Sequence, residues 1–77
     1  MQIRHLRYFI AVADEQNFTR AAERLQITQP TLSRRIEDLE EELDLPLFDR
    51  RRHPIQLTPA GEAFLEGTRA TLAQLEE

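Results

Sequence analysis

Cysteine and lysine are both absent from this sequence of 77 residues. Without cysteine, neither a disulfide framework nor a thiolate metal site can form, and a reducing, intracellular setting is expected. No segment approaches the roughly 18 to 20 apolar residues of a membrane span, and the N-terminus lacks the apolar run of a secretion signal. We therefore expect a soluble, untargeted protein of the cytoplasm that makes no membrane contact.

Residues suited to catalysis are also scarce. The two histidines, His5 and His53, lie in separate predicted elements, and His5 is expected to pack or cap on the first helix. No nucleophile, metal-ligand cluster or paired acid and base is visible, so the sequence predicts no catalytic residue, no metal site and no cofactor. The length allows one small domain with one modest core, so we expect a single domain.

Acidic and basic residues are segregated along the chain, although the formal net charge is −4. Residues 1–36 carry six arginines and three acids, and residues 37–49 carry seven acids and no base. Arg50, Arg51 and Arg52 follow directly, and residues 53–77 carry one arginine and four acids. A nucleic-acid binder needs a basic surface rather than a basic whole, so this distribution leaves a polyanionic partner open.

Two helices are predicted ahead of a tight turn. The first runs from Ile3 to Glu15, where apolar residues recur at the spacing of one helical face. Asn17 is a suitable N-cap for the second, from Thr19 to about Gln26, and Phe18 should fill the junction between the two helices. The break over residues 26–28 then separates the second helix from a third.

The third helix is predicted to start with Thr28 as its N-cap and Pro30 in its first turn, where a missing N–H costs nothing. Its apolar residues repeat at intervals of four, three and four, so they form one inward stripe that ends near Asp44. They are Leu32, Ile36, Leu39 and Leu43. Short apolar runs at 45–48 and 55–57 flank a polar, basic stretch, which predicts a small hairpin, the wing.

Thr58 followed by Pro59 opens a last helix that is predicted to reach the end of the chain. Its residues Ala60, Ala63 and Phe64 are expected to pack on their own domain. A second set repeats at intervals of three, four and three, the spacing of a coiled-coil seam. It consists of Leu65, Thr68, Leu72 and Leu75.

This second set predicts a homodimer. A helix of about 19 residues is roughly 28 Å long, which is more than so small a body can cover. Neither Leu72 nor Leu75 is therefore expected in the core of the single chain, and a second copy should bury the stripe. The alternative is that the end of the helix frays in solution.

The second and third helices and the turn between them have helix-turn-helix spacing. The third helix is polar and basic in its N-terminal half and acidic in the other half, so only the first half can face DNA. In a recognition helix, N-terminal residues reach base edges in the major groove. The candidates for these contacts are Gln29, Pro30, Thr31, Ser33 and Arg34.

Each candidate has a specific chemistry. Gln29 suits adenine, Arg34 can fork onto guanine, and Pro30 or Thr31 can touch a thymine methyl group. Ser33 suits either a base or a phosphate. Taken singly, each position is more often a solvated polar residue, but next to a wing with three arginines they together indicate DNA binding.

The remaining contacts are assigned to the backbone of the DNA and to its minor groove. A basic hairpin tip suits phosphates or a narrow, A·T-rich minor groove. The minor-groove candidates in the wing are Arg51, Arg52 and His53. The phosphate candidates are Thr19, Thr28, Arg35, Arg50 and Thr58.

Six ordered blocks of this sequence match a known family. They are Leu6-Arg7-Tyr8-Phe9, Phe18-Thr19-Arg20-Ala21-Ala22, Ser33-Arg34-Arg35-Ile36, Leu39-Glu40-Glu41-Glu42-Leu43, Pro46-Leu47-Phe48-Asp49-Arg50 and Leu57-Thr58-Pro59-Ala60-Gly61. Over essentially its whole length the chain resembles the N-terminal DNA-binding domain of LysR-type transcriptional regulators.

The resemblance implies a mainly α fold: a winged helix-turn-helix of three helices and a short β-hairpin, followed by a long C-terminal helix. We expect residues 1–58 to form the DNA-binding domain and residues 59–77 to begin a linker helix that pairs antiparallel with its counterpart. The implied partners are double-stranded DNA and a second copy, with a tetramer as a further option for the full-length protein. A small-molecule effector would bind a C-terminal domain that this chain does not contain.

Three residues depart from the family pattern. Asp44 stands where the third helix usually ends in glycine, and a left-handed cap there would cost up to about 1 kcal/mol. His53 stands where the wing often has arginine, so the minor-groove contact could either pass to Arg52 or depend on pH. Gly67 lowers helix propensity by roughly 1 kcal/mol, which either allows close approach of another helix or marks a weak position.

One alternative function stays open on these residues. A winged helix can also bind protein, here through the acidic half of the third helix or through the coiled-coil face. Salt would separate the two, because binding to duplex DNA weakens steeply as salt rises whereas an apolar protein contact hardly responds.

Overall fold

The computed structural model describes residues 1–75 and confirms the expected architecture. Within that range, four helices and one antiparallel hairpin follow one another along the chain. They are α1 (Ile3–Glu15), α2 (Phe18–Leu25), α3 (Gln29–Leu43), β1 (Phe48–Asp49), β2 (Gln56–Leu57) and α4 (Pro59–Leu75). The last helix was predicted to reach the end of the chain, and the last two residues of the chain lie outside the described range.

The helices begin where the cap residues predict. The Asn17 side chain accepts a hydrogen bond from the backbone N–H of Arg20 at 2.9 Å, and α2 follows. The Thr28 hydroxyl accepts from the N–H of Thr31 at 3.3 Å at the start of α3, with proline in the first turn. At the start of α1, the backbone N–H of Gln2 lies 3.4 Å from Nδ1 of His5, so His5 has a capping contact.

The first three helices all end on a left-handed residue that is not glycine. These are Gln16, Gln26 and Asp44, with φ of 52°, 59° and 54°. At Asp44 the cap is closed by two backbone bonds: its own N–H donates to the Glu41 carbonyl at 3.2 Å, and that of Leu45 to Glu40 at 3.1 Å. The fold thus tolerates the departure at Asp44 through a complete set of backbone hydrogen bonds.

Aromatic rings at the centre of the core join the helices to the wing. Phe9 of α1 is fully buried, with its ring 5.2 Å from that of Phe48 in β1 and 5.1 Å from that of Phe64 in α4. Phe18, at the start of α2, packs edge-on against Phe48 at 6.2 Å. The apolar stripe of α3 lies under these rings, with Leu32, Ile36 and Leu39 buried.

The packing of α4 differs from the prediction. Thr68 and Leu72 are only 4% and 6% exposed in the single chain, so their assignment to an uncovered stripe is wrong. The reason is that α4 lies along α1, where Leu72 shares a groove with Ile10 and Ala11. Leu65 is partly buried against the core, and Leu75 is 57% exposed as expected.

Two further residues clarify the face that α4 leaves open. Ala63, predicted to pack on its own domain, is exposed, because it lies on the side of the helix away from the core. Gly67 is also exposed, and nothing in the single chain lies close enough to meet a Cβ there. In the monomer, Gly67 therefore does not serve close approach of another helix.

An ion pair ties α4 to α1. Asp14 accepts hydrogen bonds from Arg69 of α4 and from Arg24 of α2. Burial acts to raise the pKa of Asp14, but the hydrogen bonds from Arg69 and Arg24 together outweigh it, so the pKa lies below its ordinary value.

Within residues 1–75, no helix has both the length and the apolar character needed to cross a bilayer.

Gly61 marks the closest approach between α4 and the wing. A Cβ at this position would overlap the carbonyl oxygen of Leu47, which lies immediately before β1. The N–H of Thr58 donates to the same carbonyl at 3.0 Å, so the backbone there is held in place. Position 61 therefore requires glycine because there is no room for a Cβ, and not because of its backbone dihedral angles.

We expect Gly61→Ala to lower the free energy of unfolding by about 2 kcal/mol through overpacking. Gly67→Ala, the matched control in the same helix, should raise it by up to about 1 kcal/mol, because alanine is the better helix former. Urea denaturation measures both changes in stability. Repeating it at several protein concentrations separates them from any contribution of dimerisation, which depends on concentration. An undiminished stability of Gly61→Ala would contradict the close approach.

Candidate nucleic-acid interface

The N-terminal half of α3 presents an exposed polar surface beyond a tight turn. After α2, the N–H of Ile27 donates to the Ala22 carbonyl at 3.0 Å, which closes the turn before Thr28 caps α3. Most of the predicted base-contacting residues are exposed, and Ser33 is half-buried. The exposed members are Gln29, Pro30, Thr31 and Arg34.

Hydrogen bonds order the side chains of this first turn. The Thr28 hydroxyl donates to that of Thr31 at 2.8 Å, which leaves the Thr31 proton available. The Gln29 amide nitrogen donates to the Ser33 hydroxyl at 3.1 Å. One turn further along, Arg34 Nε and Arg35 Nη1 lie 3.3 and 3.4 Å from the two oxygens of Asp38.

Two arginines of the wing, Arg51 and Arg52, pair with the carboxylate of Asp49. Asp49 Oδ1 accepts from both the backbone N–H and Nε of Arg51 at 3.1 Å, and Oδ2 accepts from Nη2 of the same residue at 3.3 Å. Arg52 Nε lies 3.5 Å from Oδ2. The Arg51 side chain and its backbone N–H hold the pKa of Asp49 below its ordinary value, so Asp49 stays ionised.

Glu40 connects α3 to the wing. Its Oε2 accepts hydrogen bonds from the backbone N–H groups of Leu47 at 2.7 Å and Phe48 at 3.3 Å, and its Oε1 pairs with Arg50 Nη1 at 3.0 Å. The Glu40 side chain is only 12% exposed. The guanidinium of Arg50 also lies 5.3 Å from the centre of the Phe18 ring, a cation–π contact. We call these contacts the Glu40 clamp.

The clamp alters the interpretation of two predicted phosphate contacts. Arg50 is engaged by Glu40 and Phe18, so it has a structural role in addition to any contact with DNA. The Thr58 hydroxyl donates to the Pro46 carbonyl at 2.6 Å and accepts from the N–H of Gly61 at 3.0 Å. Thr58 thus acts as the cap of α4 with its proton used inside the chain, as Thr28 does for α3 with its proton on Thr31. A phosphate contact from either hydroxyl stays a prediction.

The structure thus collects the predicted residues into two clusters, the start of α3 and the wing. Thr19 and His53 are exposed near them. Two residues were missed. Glu40 was taken for part of a solvated acidic half, although it follows Ile36 by four residues and so borders the apolar stripe. The role of Asp49 was missed as well, although it stands directly before three arginines.

The described residues contain no group of three or more histidine, cysteine, aspartate or glutamate side chains arranged to hold a metal ion. The acids of α3 are instead engaged in ion pairs or exposed to solvent. Glu42, for example, lies 2.9 Å from the N-terminal amine of Met1.

Comparison with known proteins identifies relatives over the whole chain. The sequence model of a family described as "Bacterial regulatory helix-turn-helix protein, lysR family" matches residues 3–62. The chain is 52% identical over 77 residues to a "Probable cat1 operon transcriptional activator" of Acinetobacter lwoffii, covering 100% of this chain and 25% of that protein. It is 53% identical over 76 residues to the "Hca operon transcriptional activator HcaR" of Escherichia coli (strain K12), covering 99% and 26%.

Solved structures with the same fold include complexes with DNA. The chain superimposes on the protein in "Crystal Structure of BenM_DBD/benA site 1 DNA Complex" with a TM-score of 0.96 at 47% identity, covering 99% of this chain and 85% of that one. For "Crystal structure of CbnR_DBD-DNA complex" the TM-score is 0.93 at 43% identity, with 99% and 87% covered. The chain spans about a quarter of the length of the Acinetobacter lwoffii and Escherichia coli relatives (25% and 26%).

The Glu40 clamp generates a stability prediction. Glu40→Ala should lower the free energy of unfolding by about 1 to 3 kcal/mol, because two backbone N–H groups at the wing base lose their acceptor. Glu41→Ala removes an exposed neighbour without such contacts, and its effect should stay within about 0.5 kcal/mol. Urea denaturation followed by circular dichroism measures both. Equal, small effects would mean that the clamp contributes nothing to the fold.

Proposed function

The chain belongs to the LysR family of bacterial regulatory helix-turn-helix proteins, and from this membership we propose that it binds duplex DNA sequence-specifically as part of a transcriptional regulator. Helix α3 enters the major groove, and the wing follows the adjacent minor groove. The observation that carries the proposal is the exposed polar first half of α3, with an arginine-rich wing attached to the same helix by Glu40.

Base recognition falls to the first two turns of α3. Gln29 pairs with adenine, and Arg34 directs its fork at guanine O6 and N7. Pro30 and Thr31, both exposed, contact thymine methyl groups or a neighbouring base edge. Ser33 is half-buried and bonded to Gln29, so it orients that amide in addition to any contact of its own.

Phosphate contacts and the minor groove complete the interface. Thr19 lies in the first turn of α2, and Thr28 and Thr58 cap α3 and α4, where a helix N-terminus itself favours an anion. Arg35 adds a phosphate contact from the second turn of α3. In the wing, Arg52 reaches into the minor groove with His53 beside it. Arg51 contacts the backbone or the groove edge, and Arg50 adds a phosphate contact from its place in the clamp.

The division of the whole protein follows from length. We assign residues 1–58 to the winged helix-turn-helix domain and residues 59–77 to the start of a linker helix. The first of the relatives named above is about four times as long as this chain, which covers 25% of it. We place effector binding in a separate C-terminal domain, so that the DNA-binding domain itself needs no cofactor.

Pairing of two copies through α4 rests on the helix side that the single chain leaves open. Ala63, Gly67 and Thr71 repeat at intervals of four and are all exposed; we call them the linker face. They line one groove with Met1 and Leu6. The exposed charged residues Glu62, Glu66 and Arg69 lie on the other flank of the helix. An uncharged flank beside apolar side chains suits a second copy of the same helix.

Arg34→Ala should weaken binding to a specific duplex by about 1 to 3 kcal/mol and relax the preference at one or two base pairs, because a forked base contact is lost. Arg35→Ala, the matched control, should weaken binding to all duplexes alike and reduce the salt slope by about 1. Titration against duplexes selected from a random library measures both. An equal loss on every sequence for Arg34→Ala would make Arg34 a phosphate contact.

Ala63→Glu should prevent dimerisation and weaken binding to a two-half-site operator, because it puts a charge into the linker face. The monomer should stay folded, since Ala63 is exposed. Ala73→Glu is the control, at an exposed position of α4 that lies in a different groove, beside Arg69. The half-sites should be spaced by about one helical turn of DNA, roughly 34 Å, or a multiple of it. Sedimentation measures the oligomeric state of each variant, and DNA titration measures its affinity for the operator. An Ala63→Glu protein that remains dimeric would show that the linker face is not where two copies pair.

A further inference from the structure

The arginines of both candidate DNA-contacting clusters share their counter-ions in the same way. In α3, one aspartate, Asp38, pairs with Arg34 and with Arg35. In the wing, one aspartate, Asp49, pairs with Arg51 and with Arg52. Each cluster therefore carries a built-in carboxylate between two guanidinium groups.

The atoms used in these pairs differ between the two arginines of each cluster. Arg34 donates a hydrogen bond from Nε to Asp38 at 3.3 Å, and Nε of Arg52 lies 3.5 Å from Asp49, so neither pair uses Nη1 or Nη2. Their side chains are 72% and 71% exposed; Arg34 was assigned to a base in the major groove and Arg52 to the minor groove. A bidentate contact to a base needs two such terminal nitrogens.

The second arginine of each pair gives up terminal nitrogens to the carboxylate. Arg51 donates through Nε, Nη2 and its backbone N–H to Asp49, and Arg35 through Nη1 to Asp38. These donors are the ones that would otherwise serve any phosphate. Because exposed ion pairs are weak, the carboxylates reduce such contacts without abolishing them.

We propose that Asp38 and Asp49 determine specificity: each lies beside the Nε of an arginine assigned to a groove of the DNA, Arg34 or Arg52, and neutralises a second arginine that would otherwise bind phosphate regardless of sequence. This inference rests on the proposed DNA-binding function. In a complex with an unrelated sequence, where phosphate contacts supply essentially all of the affinity, the carboxylates cost binding. On the correct site they cost less, because Arg34 and Arg52 are already oriented.

The test compares Asp38→Asn and Asp49→Asn with wild type on a selected duplex and on a scrambled duplex of the same length. Each variant should bind the scrambled duplex about 2- to 5-fold more tightly, as expected for release of one exposed pair. The log-log salt slope on that duplex should steepen by about 0.9. The selected duplex should gain less, so that the ratio of the two affinities falls.

Two control variants separate positioning from simple charge. Glu41→Gln removes the same charge from an exposed position of α3 that pairs with neither Arg34 nor Arg35, and the affinity ratio should stay at its wild-type value. Asp38→Glu keeps the carboxylate one turn from Arg34 and should restore most of the discrimination.

The outcomes distinguish this inference from the proposed function. A falling ratio in both aspartate variants but not in Glu41→Gln supports the role of Asp38 and Asp49. A wild-type chain that discriminates between the duplexes, together with an equal affinity gain on both duplexes in the variants, overturns the role while leaving DNA binding intact. Wild-type protein that binds neither duplex overturns both.

Discussion

The carboxylate of Glu40 determines where the wing lies relative to the recognition helix. It is largely excluded from solvent and meets three donors, the N–H groups of Leu47 and Phe48 and the guanidinium of Arg50. Charge-assisted hydrogen bonds to an ionised carboxylate are roughly twice as strong as neutral ones. With its backbone held there, Phe48 points its ring at Phe9 and Phe18, so the clamp and the aromatic core fix the same hairpin from two sides.

The acidic half of α3 accounts for how a chain with a net charge of −4 can offer a surface to a polyanion. Its acids do different work according to their place on the helix. Glu40 accepts hydrogen bonds at the base of the wing, Asp38 pairs with two arginines, and Glu42 pairs with the N-terminal amine. Association with DNA depends mainly on the electrostatic potential near the first turn of α3 and the wing. Charges more than about 10 Å away have little influence, because dissolved salt screens them.

Local signals in the sequence were sufficient for most of the fold. Asn17 and Thr28 mark helix starts because a cap needs only its own side chain and an N–H three residues later. The stripe of α4 shows the limit of such reasoning. Spacing indicates that Thr68 and Leu72 face the same way, but whether α1 or a second copy covers them depends on how α4 is tilted, and no local pattern encodes that tilt.

In the candidate site, too, some features could be predicted from local sequence and others depend on the tertiary fold. Residue types at the start of α3 and in the wing could be assigned from chemistry and position alone. The contacts of Glu40 could not, because they join residues seven and eight positions apart across a turn whose path was not predicted. Likewise, the second use of Thr58, as an internal donor to Pro46, depends on the return of the chain after the hairpin.

The meeting of Gly61 with the Leu47 carbonyl has a mechanical consequence. The first turn of α4 and the base of the wing touch with no side chain between them, and the Thr58 hydroxyl joins them at Pro46. A contact of this kind has no soft layer that could absorb sliding, because only rigid backbone lies on either side. The angle between the long helix and the hairpin is therefore set by direct backbone contact at Gly61, and any side chain there would push the two apart.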